Sequence, residues 1–198
     1  MSAKRLPLTV SSTATRAQNG RVHGLVLDSF TAFLREAHKG VAGLVPHDAS
    51  FLPSQAYADE DFTHLLEHAA GVLGTSPRQL ERGFGQFAGR SAFARLYPDF
   101  YDASGDTRTF LLHVEQRIHD LVRATIPDAA PPRLHVTPFG HRDVVVTYTS
   151  ERLLCHMVEG LVAGVADYYG ESARIDHSQC MLRGDLACAL FVVLDEAG

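Results

Sequence analysis

The sharpest hydrophobic pattern in the chain lies between Asp106 and Ile126, DTRTFLLHVEQRIHDLVRATI. Wound at about 3.6 residues per turn, it places Leu111, Val114, Ile118, Leu121, Val122 and Thr125 on one mostly apolar stripe. Gln116, Arg117, Asp120 and Arg123 fall largely opposite, so the spacing predicts one helix. His113 belongs with the polar group. His119 is flanked at helical spacing by Leu112, Glu115, Val122 and Ile126 and faces a mainly hydrocarbon wall. A neutral imidazole there needs a partner for its ring nitrogens, either a core hydrogen bond or an axial bond to iron. From the helix alone the hydrogen bond is favoured, because buried histidines outnumber ligands.

Ahead of this segment, Leu25, Val26, Ser29, Phe30, Phe33 and Leu34 recur at helical intervals and predict a first core helix over Val22–His38. A Gly- and Pro-bearing loop follows through Pro53. An acidic first turn opens a second helix over Asp59–Leu73, which Gly74 can end. Ser76 as N-cap and Pro77 at the first helical position open a third, Ser76–Gly85. Phe93–Phe100 is a short fourth, broken at Pro98. At Pro131-Pro132 the period changes. Residues 133–139 (RLHVTPF) and 143–149 (DVVVTYT) read as strands joined by a Gly-containing hairpin turn. Ser150 can cap a long helix from Glu151 to Tyr169 that Gly170 stops, and residues 172–178 and 185–195 give two more strands. The predicted class is α+β: an N-terminal helical subdomain, then a four-stranded antiparallel sheet with a long helix.

Composition narrows the role of such a fold. Residues 1–21 hold four basic and no acidic side chains and are expected to be a disordered extension ahead of a single domain, 22–198. A net charge of -5 with scattered basic residues argues against a nucleic-acid partner. No apolar run is long enough to cross a bilayer and no secretory signal is visible, so a cytoplasmic protein without a membrane partner is expected. Three cysteines, an odd number, point to thiol or metal chemistry rather than a disulfide framework. No nucleophile-and-base arrangement or carboxylate pair argues for an enzyme.

Two groups of residues carry candidate chemistry. Tyr148, Ser150 and Arg152 stand at alternate positions on an extended segment, so a phenol, a hydroxyl and a guanidinium project to one side. Such a group receives a carboxylate, with Arg152 making two parallel hydrogen bonds and the others donating one each. Taken alone, YTSER would read as a Ser N-cap beside an incidental arginine. The second group is Cys155, His177, Cys180 and Cys188, which uses every cysteine; three thiolates and an imidazole make a tetrahedral zinc set. His156 is a possible substitute for Cys155. The alternative is a buried Cys155 with Cys180 and Cys188 as free thiols.

YTSER does not stand alone. A histidine on an apolar helix face, PPRL beginning twelve residues later, Y-x-S-x-R, and a helix reading GLVAG together resemble the haem nitric-oxide/oxygen-binding family, H-NOX. The resemblance runs from His23 to the last strand. It implies haem b between the helical and sheet-bearing parts, His119 as the proximal iron ligand, Tyr148, Ser150 and Arg152 holding the propionates, and Pro132 pressing on the porphyrin. Val26, Phe30, Phe93, Met157 and Leu161 match its pocket-lining positions. It also implies a gas sensor that signals by a shape change to a separate protein, such as a histidine kinase or a cyclic-nucleotide enzyme. Family members that hold dioxygen are similar in placing a tyrosine hydroxyl where this chain has Met157, and a thioether donates no hydrogen bond. Dioxygen would forgo about 1–3 kcal/mol there, so nitric oxide is the expected ligand. The Cys/His quartet resembles a zinc site of one bacterial branch of the family, where thiolate oxidation could release the metal. A rival resemblance, carried by the last helix and the CMLRGDLAC hairpin, is to haem-free small-molecule domains of the vinyl-reductase type. Those would keep the zinc and fill the cavity with an organic ligand.

Overall fold

The structure, a computed structural model, describes residues 21–46, 50–126 and 130–196. The extension expected on composition lies outside the described residues except for Arg21, which opens strand β1 (Arg21–His23). β1 pairs antiparallel with β2 (Ala56–Ala58), a strand between the expected loop and the second helix, where no element was expected. This pairing corrects the start of the first helix. Val22 and His23 are held extended opposite Tyr57 and Ala56, and α1 begins only at Gly24 (Gly24–Ala37). A side chain at residue 24 would meet the Leu52 carbonyl at 2.1 Å, so only glycine fits where strand becomes helix.

α2 (Asp59–Leu73) has the predicted bounds, with Gly74 left-handed at φ 64 as its C-cap. α3 (Pro77–Phe87) is opened by a capping box between Ser76 and Gln79. It does not stop at Gly85. The chain stays helical through a π turn at Ala88–Ala92 into α4 (Phe93–Leu96), and Pro98 starts α5 (Pro98–Ser104). The predicted helix over 106–126 is likewise one helical stretch with a π turn inside it: α6 (Thr107–Val114), Glu115–His119, then α7 (Asp120–Thr125).

β3 (Arg133–Phe139) and β4 (Asp143–Thr149) form the predicted hairpin, and with β5 (Glu171–Gln179) and β6 (Cys188–Glu196) make an antiparallel sheet of order β3-β4-β6-β5. The helix between the hairpins, α8 (Cys155–Tyr169), begins four residues after the predicted Glu151. Ser150 does not cap it. Its Oγ accepts from the Arg152 amide instead, Leu153 turns left-handed at φ 56, and the Leu154 amide goes to the Tyr148 hydroxyl. The α8 amides find their acceptor on α3, where the buried Glu81 carboxylate takes the Met157 N–H at 2.8 Å.

α8 is apolar nearly all round because it is covered nearly all round. Cys155, Val158, Val162 and Val165 join the core over the sheet, and Met157 joins the helical core of Phe30, Phe62, Phe84 and Leu27. Glycines set its distance from α3. A Cβ on Gly160 would lie 2.0 Å from the Arg82 carbonyl oxygen, and one on Gly85 2.2 Å from that of Met157, so the backbones touch.

Burial pushes the Glu81 carboxyl up to about 7 from its ordinary 4.5. The folded protein therefore retains a proton that the unfolded chain gives up, and the associated stability, full below pH 4.5, is lost as pH rises through about 7. Glu81→Gln is expected to flatten the melting temperature over that interval. An unchanged pH profile in the variant would show that Glu81 is not its source.

Candidate functional site

Between the helical part and the sheet lies an apolar cavity of about 200 Å³. α6 contributes Val114, the π turn Ile118 and His119, and α7 Val122; the sheet contributes Leu134, Val136 and Val146; α8 contributes Met157, Val158, Leu161 and Val162. Val26, Phe93, Pro132, Tyr148 and Arg152 complete most of the set expected there. Two expected residues are elsewhere. Phe30 is fully buried in the helical core, its ring 5.0 Å from that of Phe84, and Ser150 is not among the lining residues, its Oγ accepting from the Arg152 amide. The larger residue packs with its own helices because α1 turns that face toward α2 and α3.

His119 has a side chain only 16% exposed, and burial lowers its pKa although Glu115 lies beside it. Nδ1 is 2.8 Å from the Glu115 carboxylate. A carboxylate accepts and cannot donate, so Nδ1 carries the proton and the Nε2 lone pair is the one left for another partner. The clasp differs from its expected geometry. Arg152 directs Nε to Asp59 at 2.7 Å and Nη2 to the carbonyls of Arg21 and Ala130 at 2.8 and 2.6 Å, so two of its nitrogens serve the protein itself. Tyr148 accepts from Leu154, and burial pushes its phenol up to about 12, so it stays protonated and able to donate.

Several cavity groups escaped the sequence reading. Tyr97 and Tyr101 line the wall; the Tyr101 hydroxyl donates to the Gly89 carbonyl at 2.7 Å. The only local signal for Tyr97 was its spacing of one helical turn from Phe93. His23 accepts from Leu25 through Nδ1 at the start of α1, and its buried Nε2 has no partner among the described residues.

The sulfur-bearing group converges on the other side of α8. Cys155 opens α8, His177 stands in β5 where its register shifts, Cys180 comes directly after that strand, and Cys188 opens β6. Their ligand atoms lie within 4.8 Å of one another, with Cys155 Sγ and Cys180 Sγ 3.7 Å apart. His156 joins a different group, with Glu159 and His177. His177 Nδ1 bonds the buried Glu159 carboxylate, which leaves Nε2 buried with no partner among the described residues. Burial raises the Cys155 and Cys188 thiols, which is the environment a bound cation would reverse. Three thiols, an orphaned imidazole nitrogen and a carboxylate behind it fit a tetrahedral metal site.

An enclosed apolar slot with an imidazole on one wall and cationic and phenolic donors at its edge defines a domain built around a flat prosthetic group. The profile of the family described as Haem-NO-binding matches residues 23–177, and the chain belongs to that family, H-NOX, whose domains are haem-based gas sensors. No curated protein matches the chain by sequence. Among solved structures, an H-NOX protein from Shewanella oneidensis in the Fe(II)NO state is 21% identical over 88% of this chain and 100% of that one, with a TM-score of 0.79. The unliganded Fe(II) protein from K. algicida is 19% identical over 88% and 97%, with a TM-score of 0.75. An oxygen-binding H-NOX domain related to soluble guanylate cyclases, in its oxygen complex, is 16% identical over 89% and 97%, with a TM-score of 0.74. At these identities the likeness establishes the α+β fold. Among the described residues no helix is long and apolar enough to cross a membrane.

The donors present fit haem: hydrocarbon for the macrocycle, one imidazole nitrogen for iron, and Tyr148, His23 and Arg152 for the carboxylate edge.

Proposed function

We propose that this protein is a cytoplasmic nitric oxide sensor that holds haem b through His119 and signals to a separate protein without catalysis of its own. The observation carrying this reading is His119, whose Nδ1 proton is committed to Glu115 while the ring stands in the wall of the apolar cavity. Bound haem would supply the iron that takes up the gas. His119 Nε2 would ligate the iron, Tyr148 and Arg152 would receive the propionates, and Pro132 would press on the porphyrin. Arg152 Nη1, which makes none of the contacts to Asp59, Arg21 or Ala130, would be the donor offered to a propionate.

Structural neighbours include both a nitrosyl and an oxygen complex, so the choice of gas rests on this chain's own wall. Met157 carries no donor hydrogen, Leu161 and Phe93 beside it are hydrocarbon, and the Tyr101 hydroxyl is spent on Gly89. These support discrimination against dioxygen. The ferrous protein is expected to show a Soret band that shifts with nitric oxide and to form no stable oxygen complex in air. A lasting oxygen complex overturns the selectivity, and its loss in Tyr97→Phe would then assign the donor to that phenol.

The partner class proposed, a histidine kinase or a cyclic-nucleotide enzyme, is the one the family resemblance implies. For the second site we propose zinc, held by Cys155, His177, Cys180 and Cys188 as in the zinc-containing bacterial branch, with thiol oxidation releasing it. Fresh protein is expected to contain stoichiometric zinc that peroxide removes. Protein purified without chelator that lacks zinc ends this part of the proposal.

A further inference from the structure

We infer that Glu115 is a positioning residue that orients His119 and sets the strength of its bond to iron; this rests on His119 being the iron ligand. Glu115 and His119 are the two ends of the π turn, and the carboxylate meets Nδ1 at 2.8 Å. On an exposed helix such an (i, i+4) pair would part freely. Here it is held. The same Oε2 accepts the Leu134 amide of β3 at 3.0 Å, and Oε1 accepts Arg123 Nη2 at 2.5 Å. Donors from α7, from β3 and from the ring itself therefore pin one carboxylate whose side chain is 22% exposed.

Three consequences follow from that geometry. The ring cannot turn about its own axis without breaking a bond to a carboxylate that cannot follow it. The Nδ1 proton is fixed, which keeps the lone pair on Nε2, and an anionic acceptor at Nδ1 makes Nε2 the stronger electron donor. Arg123 shares the carboxylate's charge and also donates to the Pro132 carbonyl at 3.0 Å, so the anchor that orients the ring also fixes a residue of the cavity wall. Movement of His119 away from iron would pull on Leu134 and Pro132 through one side chain.

The test is resonance Raman spectroscopy of the ferrous, gas-free holoprotein. Glu115→Gln keeps an acceptor oxygen and loses the charge; Glu115→Ala loses both. The iron–histidine stretching band is expected to fall in frequency from wild type to E115Q to E115A, and the fraction of five-coordinate nitrosyl at limiting nitric oxide to rise in the same order. A purely structural role would lower the melting temperature and leave the band in place. An unchanged band in E115Q overturns the role of Glu115 while leaving the haem reading intact, whereas wild-type protein that takes up no hemin overturns that reading itself. If a variant loads poorly, imidazole ¹⁵N shifts in haem-free protein decide the question. Wild type should show a protonated Nδ1 at His119 and E115A a shift toward protonated Nε2; identical shifts in the two overturn the proposal.

Discussion

Gly160→Ala is expected to cost about 3 kcal/mol or more of folding stability, or to prevent accumulation of folded protein. The added methyl would sit 2.0 Å from the Arg82 carbonyl oxygen and 2.8 Å from the Gln86 amide nitrogen. Both are backbone atoms of α3, so no side chain can swing aside; the two helices must separate. Gly164 makes the same kind of approach, at 2.2 Å from the Gln86 carbonyl, which leaves no hinge on which α8 could tilt. Met157 and Leu161 flank Gly160 in α8, so any surviving fold would also carry a displaced cavity wall. Gly71→Ala is the control. It lies in α2 with nothing within 4 Å of its would-be Cβ, and the change should stabilise by about 0.5–1 kcal/mol through helix propensity. Urea unfolding of the two variants checks the account, and equal effects would contradict it.

His119→Gly is expected to lower haem affinity by at least about 100-fold, since replacing residues that only support a ligand already costs about 10–100-fold. The helix should survive, because the ring is at the cavity surface and Glu115 keeps Arg123 and Leu134 as partners. Added imidazole should restore loading and a six- or five-coordinate spectrum without restoring the link to α7. Under the proposed mechanism such imidazole-loaded protein regulates its partner as the nitric-oxide-bound protein does. Hemin titration with and without imidazole measures the first effect. Loading equal to wild type without imidazole would remove His119 from the iron.

Much of the fold was legible because its signals are local. The acidic first turn and Gly74 bound α2, β-branched apolar runs on either side of a Gly-containing turn mark β3 and β4, and the Ser76-Pro77 pair opens α3. Each depends on residues within a turn or a hairpin of itself. The start of α8 was not legible, because the Ser150 hydroxyl has two possible uses and the choice is made elsewhere. Tyr148 captures the Leu154 amide, and Glu81, 76 residues from Met157 in sequence, supplies the cap. β1 and β2 are too short for a period to show, and each is defined by the other.

The candidate site divides in the same way. His119 stood out because one helix placed an imidazole among hydrocarbon, and the Cys/His quartet because it used every cysteine. The π turn that joins Glu115 to His119, and the capture of Arg152 by Asp59, had no counterpart in spacing. By itself the sequence determined most of the helices, the four strands of the larger sheet and which residue types are available for iron, carboxylate and zinc, since periodicity and capping are short-range effects. Only the tertiary structure decided which hydrogen bonds those residues make. A donor such as Arg152, or a carboxylate such as Glu81 or Glu115, goes to whichever buried partner would otherwise be left unsatisfied, and that partner is known only once distant segments have packed.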